Sequence, residues 1–305
     1  MENYPAIPIT PELARSLMPL RPVDSFKGTF GKALVVAGSR KYTGAAGLAI
    51  QAALRSGAGL VFAAIPESIH APLSAHISEA IWLLLPEKDG AITAEEKTGD
   101  LLEEKTGLFP TGGKDAVLVG PGLNQTEGTQ AFLFGLLEQL RENSPGLPIV
   151  VDADALNILS RQVDWHTLLP KRVILTPHEM EFSRLTGLSL GEIHSNRQEL
   201  AISYALKWQQ TLILKGPNTL VASPEGECRV LPFANSVLAH GGSGDVLAGL
   251  IVSLLAQGLP PFDAASLAVW LHARAAELAL AEVGHPAATL PSDIIQHIGK
   301  AMGNL

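Results

Sequence analysis

The chain has 305 residues, 47% of them hydrophobic and 17% charged, enough to bury a large core without disulfides or a structural metal. Its 30 acidic and 22 basic residues leave a formal charge of −8 with no basic cluster, which excludes non-specific nucleic-acid binding. Cys228 is the single cysteine, which rules out an internal disulfide and a four-cysteine zinc site and suits a reducing cytoplasm.

The N-terminus, MENYPAIPITPELARS, has neither a basic start nor an apolar stretch and so is no secretory signal. ALVVAG (33–38) is the first predicted strand. Residues 44–66 are long enough to span a bilayer, but Arg55 would sit near the middle and Gly57 and Gly59 interrupt the run. The segment reads as a helix, a turn and the strand LVFAAI (60–65), and no membrane span is expected. IWLLL (81–85) and AVLVG (116–120) are the next strands, and the polar stretch from Glu87 to Gly113 between them reads as a helix with long loops. Helical spacing returns at TQAFLFGLLEQLREN (129–143), followed by strands PIVVD (148–152) and RVILT (172–176). The helix SNRQELAISYALKWQQ (195–210) precedes strand TLILK (211–215).

After Lys215 the rhythm changes. TLVASPEGECRVLP reads as a hairpin turning at Pro224-Glu225-Gly226, and consecutive helices fill the rest: DVLAGLIVSLLAQG, FDAASLAVWLHARAAELALAEVG and PSDIIQHIGKAMG. The alanine-rich helix around 267–284 is either interior or a partner surface. Strands that read as continuous apolar runs, joined by helical crossovers, imply an α/β fold with a mostly parallel sheet and helices on both faces. One domain covering 1–305 is expected.

In such sheets ligands bind beyond the carboxyl ends of the strands. The residues that follow the strands are SRKYTGAAG, PGLN, ADALN, PHEMEF and GPNT, so glycines, a histidine and small polar residues gather at one edge. Common signatures do not fit. GPGLNQ lacks the third glycine of a dinucleotide fingerprint, and no GxxxxGK[ST] occurs. Phe182 stands where HEMEF would need a second zinc-binding histidine, and Asp245 stands where a nucleophile elbow needs glycine.

The stretch AHGGSGDVLAGL (239–250) places flexible residues directly ahead of a carboxylate at a helix start. Glycines let amides approach an anion, and the helix terminus adds partial positive charge, so Gly242, Ser243 and Gly244 form a candidate anion hole. Asp245 beside that hole is either a helix cap or a base that takes a proton from a hydroxyl attacking a phosphate. Lys215, which closes a strand ahead of a glycine and Thr219, is placed to meet nucleotide phosphates or is a solvated strand end. His178, at the mouth end of a strand, is a ligand contact or a structural loop histidine.

Taken together, KGTFGKALVVAGSRKYTGAAGLAIQAALRSGAGLV, GPGLN, VVDADALN, LTPHEMEF, LKGPNT and LAHGGSGDVLAGLIVSLLAQG resemble the ADP- or ATP-dependent NAD(P)H-hydrate dehydratase family over nearly the whole chain. The resemblance implies a ribokinase-like fold and a stand-alone dehydratase domain, without the epimerase domain that precedes it in many relatives. It implies repair of hydrated NADH or NADPH by phosphorylation of the ring hydroxyl and loss of phosphate. ADP is the usual co-substrate in bacterial members and yields AMP and phosphate; the choice between ADP and ATP, and between the two hydrates, stays open. The same resemblance makes Asp245 the catalytic base. It assigns Lys215, Gly216, Pro217, Asn218, Thr219 and Gly244 to the nucleotide, and Ala45, Gly122, His178 and Asp245 to the hydrated dinucleotide. Asp152 and Asn157 orient substrate or metal. Mg2+ is expected from phosphoryl transfer in general, with its ligands unassigned, and a homo-oligomer, up to a tetramer, is expected. The chain departs from the family at Asn124, often glycine, at Phe26, commonly histidine, and at Pro217, usually alanine. A small-molecule kinase of the hydroxymethylpyrimidine or hydroxyethylthiazole type is the enzymatic alternative, and a non-catalytic nucleotide-binding protein is the other.

Overall fold

The structure is a computed structural model that describes residues 5–94 and 115–305. The first part of the chain contributes β1 (Ile7–Pro8), α1 (Pro11–Leu17), β2 (Lys32–Val36), α2 (Thr43–Arg55), β3 (Leu60–Pro66), α3 (His70–Ser74), β4 (Ile81–Leu85), β5 (Glu87–Lys88) and β6 (Ala91–Ile92). The middle supplies β7 (Ala116–Val119), α4 (Glu127–Asn143), β8 (Ile149–Val151), α5 (Asp154–Leu159), β9 (Val173–Leu175), α6 (Glu179–Thr186), α7 (Leu190–Ser195) and α8 (Arg197–Trp208). It closes with β10 (Thr211–Leu214), β11 (Leu220–Ala222), β12 (Cys228–Val230), α9 (Ser243–Ala256), α10 (Pro261–Val283) and α11 (Pro291–Gly303).

Among the described residues ten strands make one sheet in the order β1-β12-β11-β10-β9-β8-β7-β2-β3-β4. From β10 to β4 every neighbouring pair is parallel; β11 is antiparallel to both β10 and β12. Apolar side chains alternate across the central strands. Ala33 and Val35 of β2 enter a core with α2, α9, α10 and α11, whereas Leu34 and Val36 enter a core with α4, α5, α6 and α8. This double burial is why the strands read as unbroken apolar runs. The expected fold is therefore present, as is the 219–232 hairpin.

Two helices are held unusually close. A Cβ placed on Gly249 of α9 would lie 2.3 Å from the Ala49 carbonyl oxygen of α2, so the two helices touch backbone to backbone. The alanine-rich stretch of α10 is interior: Ala264 to Ala273 is buried, packed between α9 and α11. No helix among the described residues is long and apolar enough to cross a membrane, and residues 44–66 divide into α2 and β3 as predicted.

Two expectations need correction. Of the polar stretch from Glu87 to Gly113, the part within the described residues is a two-stranded hairpin, β5–β6, rather than a helix. Its turn is Asp89-Gly90, both at positive φ (55° and 78°), the Asp-Gly pairing that favours a tight hairpin. The remainder of that stretch lies outside the described residues. At the N-terminus, Ile7–Pro8 adds an edge strand parallel to β12, and Thr10 caps α1 with Pro11 at its first position. Finally, β2, β7, β8, β9 and β10 end a residue or two before the predicted strands do, which releases Gly38, Gly120, Asp152, Thr176 and Lys215 into loops at one edge of the sheet.

Candidate active site

At the head of α9, Gly242 is the N-cap, with φ of 99° and no side chain to offer. Asp245 is the third helical residue and accepts no hydrogen bond from any described residue, so it does not cap the helix. Among the described residues, nothing accepts from the N–H groups of Gly242, Gly244 or Asp245. Open amides at a helix start attract an anion. The amide of Ser243 differs from the sequence expectation, because it already donates to the His240 carbonyl at 3.2 Å. Ser243 faces the cavity described below with its hydroxyl instead. Burial pushes the Asp245 pKa up to about 7; the nearby Asp152 charge adds to the rise, and Lys215 opposes it.

The loops after β8, β9 and β10 meet beside this helix start. Lys215 Nζ donates to Asp152 Oδ1 at 2.9 Å and stands 3.9 Å from Glu181 Oε2. Thr176 Oγ1 donates to the same Asp152 oxygen at 2.6 Å. Burial works against the Lys215 charge, yet Asp152 and Glu181 outweigh it and raise its pKa. A Cβ on Gly244 would fall 3.3 Å from Lys215 Nζ and 3.9 Å from Asp152 Oδ2, so α9 begins directly against the ion pair. Glu181 is buried, and burial pushes its carboxyl up to about 7 against the pull of Lys215.

His178 is the N-cap of α6. Its Nδ1 accepts from the amides of Met180 and Glu181 at 3.1 and 3.3 Å, and its own amide donates to Glu181 Oε2 at 2.9 Å. An imidazole that accepts at Nδ1 carries its proton on Nε2, which lies 3.5 Å from Glu181 Oε1 on a half-exposed side chain. Burial, followed by the Lys215 charge, lowers the His178 pKa and keeps the ring neutral.

A cavity of about 800 Å³ opens on the far side of Lys215. Lys215, Gly216, Pro217 and Thr219 form one wall, Gly244 lies directly against Lys215, and Ser243, His178 and the apolar Leu231, Phe233 and Val269 complete the lining. The wall is buttressed from behind: Arg197 of α8 donates to the Leu214 carbonyl at 3.3 Å and pairs with Glu179, with its guanidinium where a Gly216 side chain would stand. Asn218, at φ 55°, occupies the turn of that wall and does not line the cavity.

Ala45, Gly122 and Asp245 lie outside the cavity lining. Gly122 has φ 62°, and a Cβ there would come within 2.9 Å of the Ala45 Cβ and 2.7 Å of the Tyr42 Cβ, so the GPGLN loop rests on the first turn of α2. Asp154, whose charge reaches Asp245, accepts from the Asn124 amide at 2.8 Å and ties this loop to the site. Asn124 has φ 71°, a left-handed conformation that asparagine tolerates better than most residues, so the turn keeps its shape without glycine. Asn157 accepts from Arg184 at 2.7 Å and is occupied there. Phe26 is 72% exposed, its ring against Gly28.

The family model described as NAD(P)H-hydrate dehydratase matches residues 33–300. The chain belongs to the NAD(P)H-hydrate dehydratase family. It is 37% identical to the ADP-dependent (S)-NAD(P)H-hydrate dehydratase of Bacillus subtilis over 95% of this chain and 97% of that protein. It is 36% identical to the bifunctional NAD(P)H-hydrate repair enzyme Nnr of Moorella thermoacetica over 97% of this chain. The chain spans only about half the length of that and similar bifunctional relatives, 54% in the Moorella case. Among solved structures, the ADP/ATP-dependent NAD(P)H-hydrate dehydratase of B. subtilis, co-crystallized with ATP/Mg2+, superposes with a TM-score of 0.80 at 32% identity, covering 100% of this chain and 99% of that one. A hydroxyethylthiazole kinase from Pyrococcus horikoshii, at TM-score 0.60 and 16% identity, shares the fold alone. The dehydratase family is thus built on a ribokinase-like α/β frame.

Sequence reasoning missed Glu181, Thr176, Arg197 and His272. A signal existed for Glu181: His178-x-x-Glu181 has the spacing of a reciprocal helix cap, which the zinc-motif comparison obscured.

Proposed function

We propose that the chain is an ADP-dependent (6S)-NAD(P)H-hydrate dehydratase that converts hydrated NADH or NADPH to the reduced cofactor with release of AMP and phosphate. The observation that carries this is the Asp245 carboxylate, without a hydrogen bond among the described residues, with its pKa raised to about 7, beside open amides and a lysine. A capping carboxylate has no use for that state, whereas a general base working near neutrality needs it.

The nucleotide lies in the 800 Å³ cavity along Lys215, Gly216, Pro217 and Thr219, with Asn218 shaping the turn between them and the terminal phosphate at the amides of Gly244 and Asp245. The hydrated ring lies against Ala45 and Gly122, outside that lining, and His178, which itself lines the cavity, offers its Nε2–H to it. Asp245 takes the ring hydroxyl proton while that oxygen forms a bond to the terminal phosphorus, and AMP leaves with the electron pair of the broken P–O bond. The ring carbon–oxygen bond then breaks, phosphate departs with the pair, and loss of a ring proton restores the double bond. Phosphate leaves far more readily than hydroxide, which is why a kinase-like frame serves a dehydratase. The open amides and Lys215 neutralise charge that builds on the phosphoryl oxygens.

No group of three His, Cys, Asp or Glu side chains gathers among the described residues, which thus offer no cage of their own for a cation. Mg2+ needs only one or two carboxylates when it arrives with phosphates. Asp152, with Oδ2 turned toward Gly244, is placed to share it, and its chemistry there is charge neutralisation.

The same reading makes the protein a cytoplasmic homo-oligomer, up to a tetramer. The acidic composition and single buried cysteine fit that compartment. Exposed Ile81 and Leu84, on opposite faces of edge strand β4, leave apolar surface along that edge for assembly, and light scattering of the purified protein tests it. For the activity, protein is mixed with chemically hydrated NADH and either ADP or ATP. Return of reduced-nicotinamide absorbance supports the reading. A stable phosphorylated product, or no turnover, sinks it.

A further inference from the structure

Ser243 and His272 are among the polar side chains of the cavity that this mechanism does not use. The hydroxyl of Ser243 faces His272 of α10, which is 6% exposed, with Oγ and Nε2 3.2 Å apart. Both line the cavity beside Lys215 and Gly244. Burial, then the Lys215 charge, hold the His272 pKa down at about 4, so the ring is neutral near neutral pH. A neutral imidazole has one N–H. The 3.2 Å contact between Nε2 and the Ser243 hydroxyl places that proton on Nε2 when the ring is the donor. The Ser243 oxygen then accepts from Nε2, and its own proton is free to turn into the cavity. Because the Ser243 amide is spent on the His240 carbonyl, the hydroxyl is the group by which this residue reaches an anion.

We propose that His272 is a positioning residue for the nucleotide: donating from Nε2, it holds the Ser243 hydroxyl as a donor aimed at the phosphate chain of a bound nucleoside diphosphate. The hydroxyl completes a row of donors with the open amides of Gly244 and Asp245 and the Lys215 ammonium. This rests on the reading of the cavity as a nucleotide site. It goes beyond that reading in giving the phosphate end a side-chain donor held in place from α10.

The test is calorimetric titration of the intact protein with ADP and with adenosine, which requires no turnover. Ser243→Ala and His272→Leu should each weaken ADP by about tenfold, the scale of one hydrogen bond to a charged group, and leave adenosine within about twofold. The double variant should bind ADP no more weakly than either single variant, because the two side chains act as one unit. His272→Gln, which keeps an N–H near the Nε2 position, should recover most of the loss. If His272→Leu does not fold, Ser243→Ala and His272→Gln carry the test. Equal losses for adenosine and ADP, additive losses in the double variant, or an unchanged Ser243→Ala would each overturn the positioning role alone. A wild-type protein that binds neither ligand would overturn the cavity assignment and the proposal together.

Discussion

The Lys215 ammonium and the Asp152 carboxylate, 63 residues apart in sequence, meet at 2.9 Å where two parallel strands end. Glu181 stands behind the pair at 3.9 Å from Nζ, so a single lysine is flanked by two buried carboxylates. Taking the cation away leaves both without compensation. Lys215→Met should lower stability by about 3 kcal/mol, the scale of breaking a buried pair, and a second change, Asp152→Asn, should restore part of it. Urea denaturation of the three variants measures this, and a Lys215→Met variant as stable as wild type would contradict the pairing.

Asp245→Asn keeps the shape of the α9 start and removes the base. Turnover should fall by about a thousandfold or more, while ADP affinity holds or rises, since a negative charge near the phosphates has gone. Single-turnover kinetics alongside titration with ADP separate the two effects. Undiminished turnover would favour a role for Asp245 in packing only.

The Asp245 pKa of about 7 also sets a pH dependence. The base must be ionised, so kcat/KM should fall as pH drops below about 7, and because Glu181 is also pushed to about 7, the limb reports the two groups together. Stability runs the other way. A carboxyl whose pKa is raised by folding contributes fully below its unfolded value near 4, and that contribution is lost as pH rises through about 7. Asp245→Asn should therefore melt higher than wild type by a few degrees, roughly 2–4 °C, at pH 8, and the gap should close toward pH 4. A gap that widens in acid would contradict the assigned shift.

His178 caps α6 through Nδ1, and on the proposed reading its Nε2–H is offered to the substrate, so the two duties are separable. His178→Ala should lose about 1 kcal/mol of stability and raise KM for the hydrated cofactor. His178→Ser should recover the stability, because serine caps well, without recovering KM. Recovery of both by serine would reduce the residue to its capping role.

Asn124→Gly tests the departure from the family. Glycine relieves the left-handed strain at φ 71° but gives up the Asn124 Oδ1 acceptor, which takes the Gln125 amide at 2.8 Å. The two effects oppose each other, and stability should change by less than about 1 kcal/mol with activity intact.

The parallel sheet was legible because its strands are buried on both faces, and the site was legible where several strand-end residues fell at one edge. Lys215, Asp152, Gly244 and Asp245 do come together there. What stayed hidden were partners that reach the site from helix faces. Arg197 and His272 lie within regular helical patterns in which nothing local marks one side chain as turned toward a ligand. The division of labour at Ser243 was hidden too, since only the chain path shows that its amide is already spent on His240. The β5–β6 hairpin was missed for another reason: its Asp-Gly turn was present but sat inside a charged stretch long enough to read as a helix.

The contact of Gly249 with the Ala49 backbone constrains how this enzyme can move. With no side chain between them, the helix that begins near Asp245 and the helix that bears Ala45 cannot slide past each other without steric collision. On the proposed reading, the base and the substrate wall therefore ride on one closely packed pair of helices, and breathing that admits the nucleotide falls to the loop from Pro217 to Thr219, beyond the part of the wall that Arg197 holds.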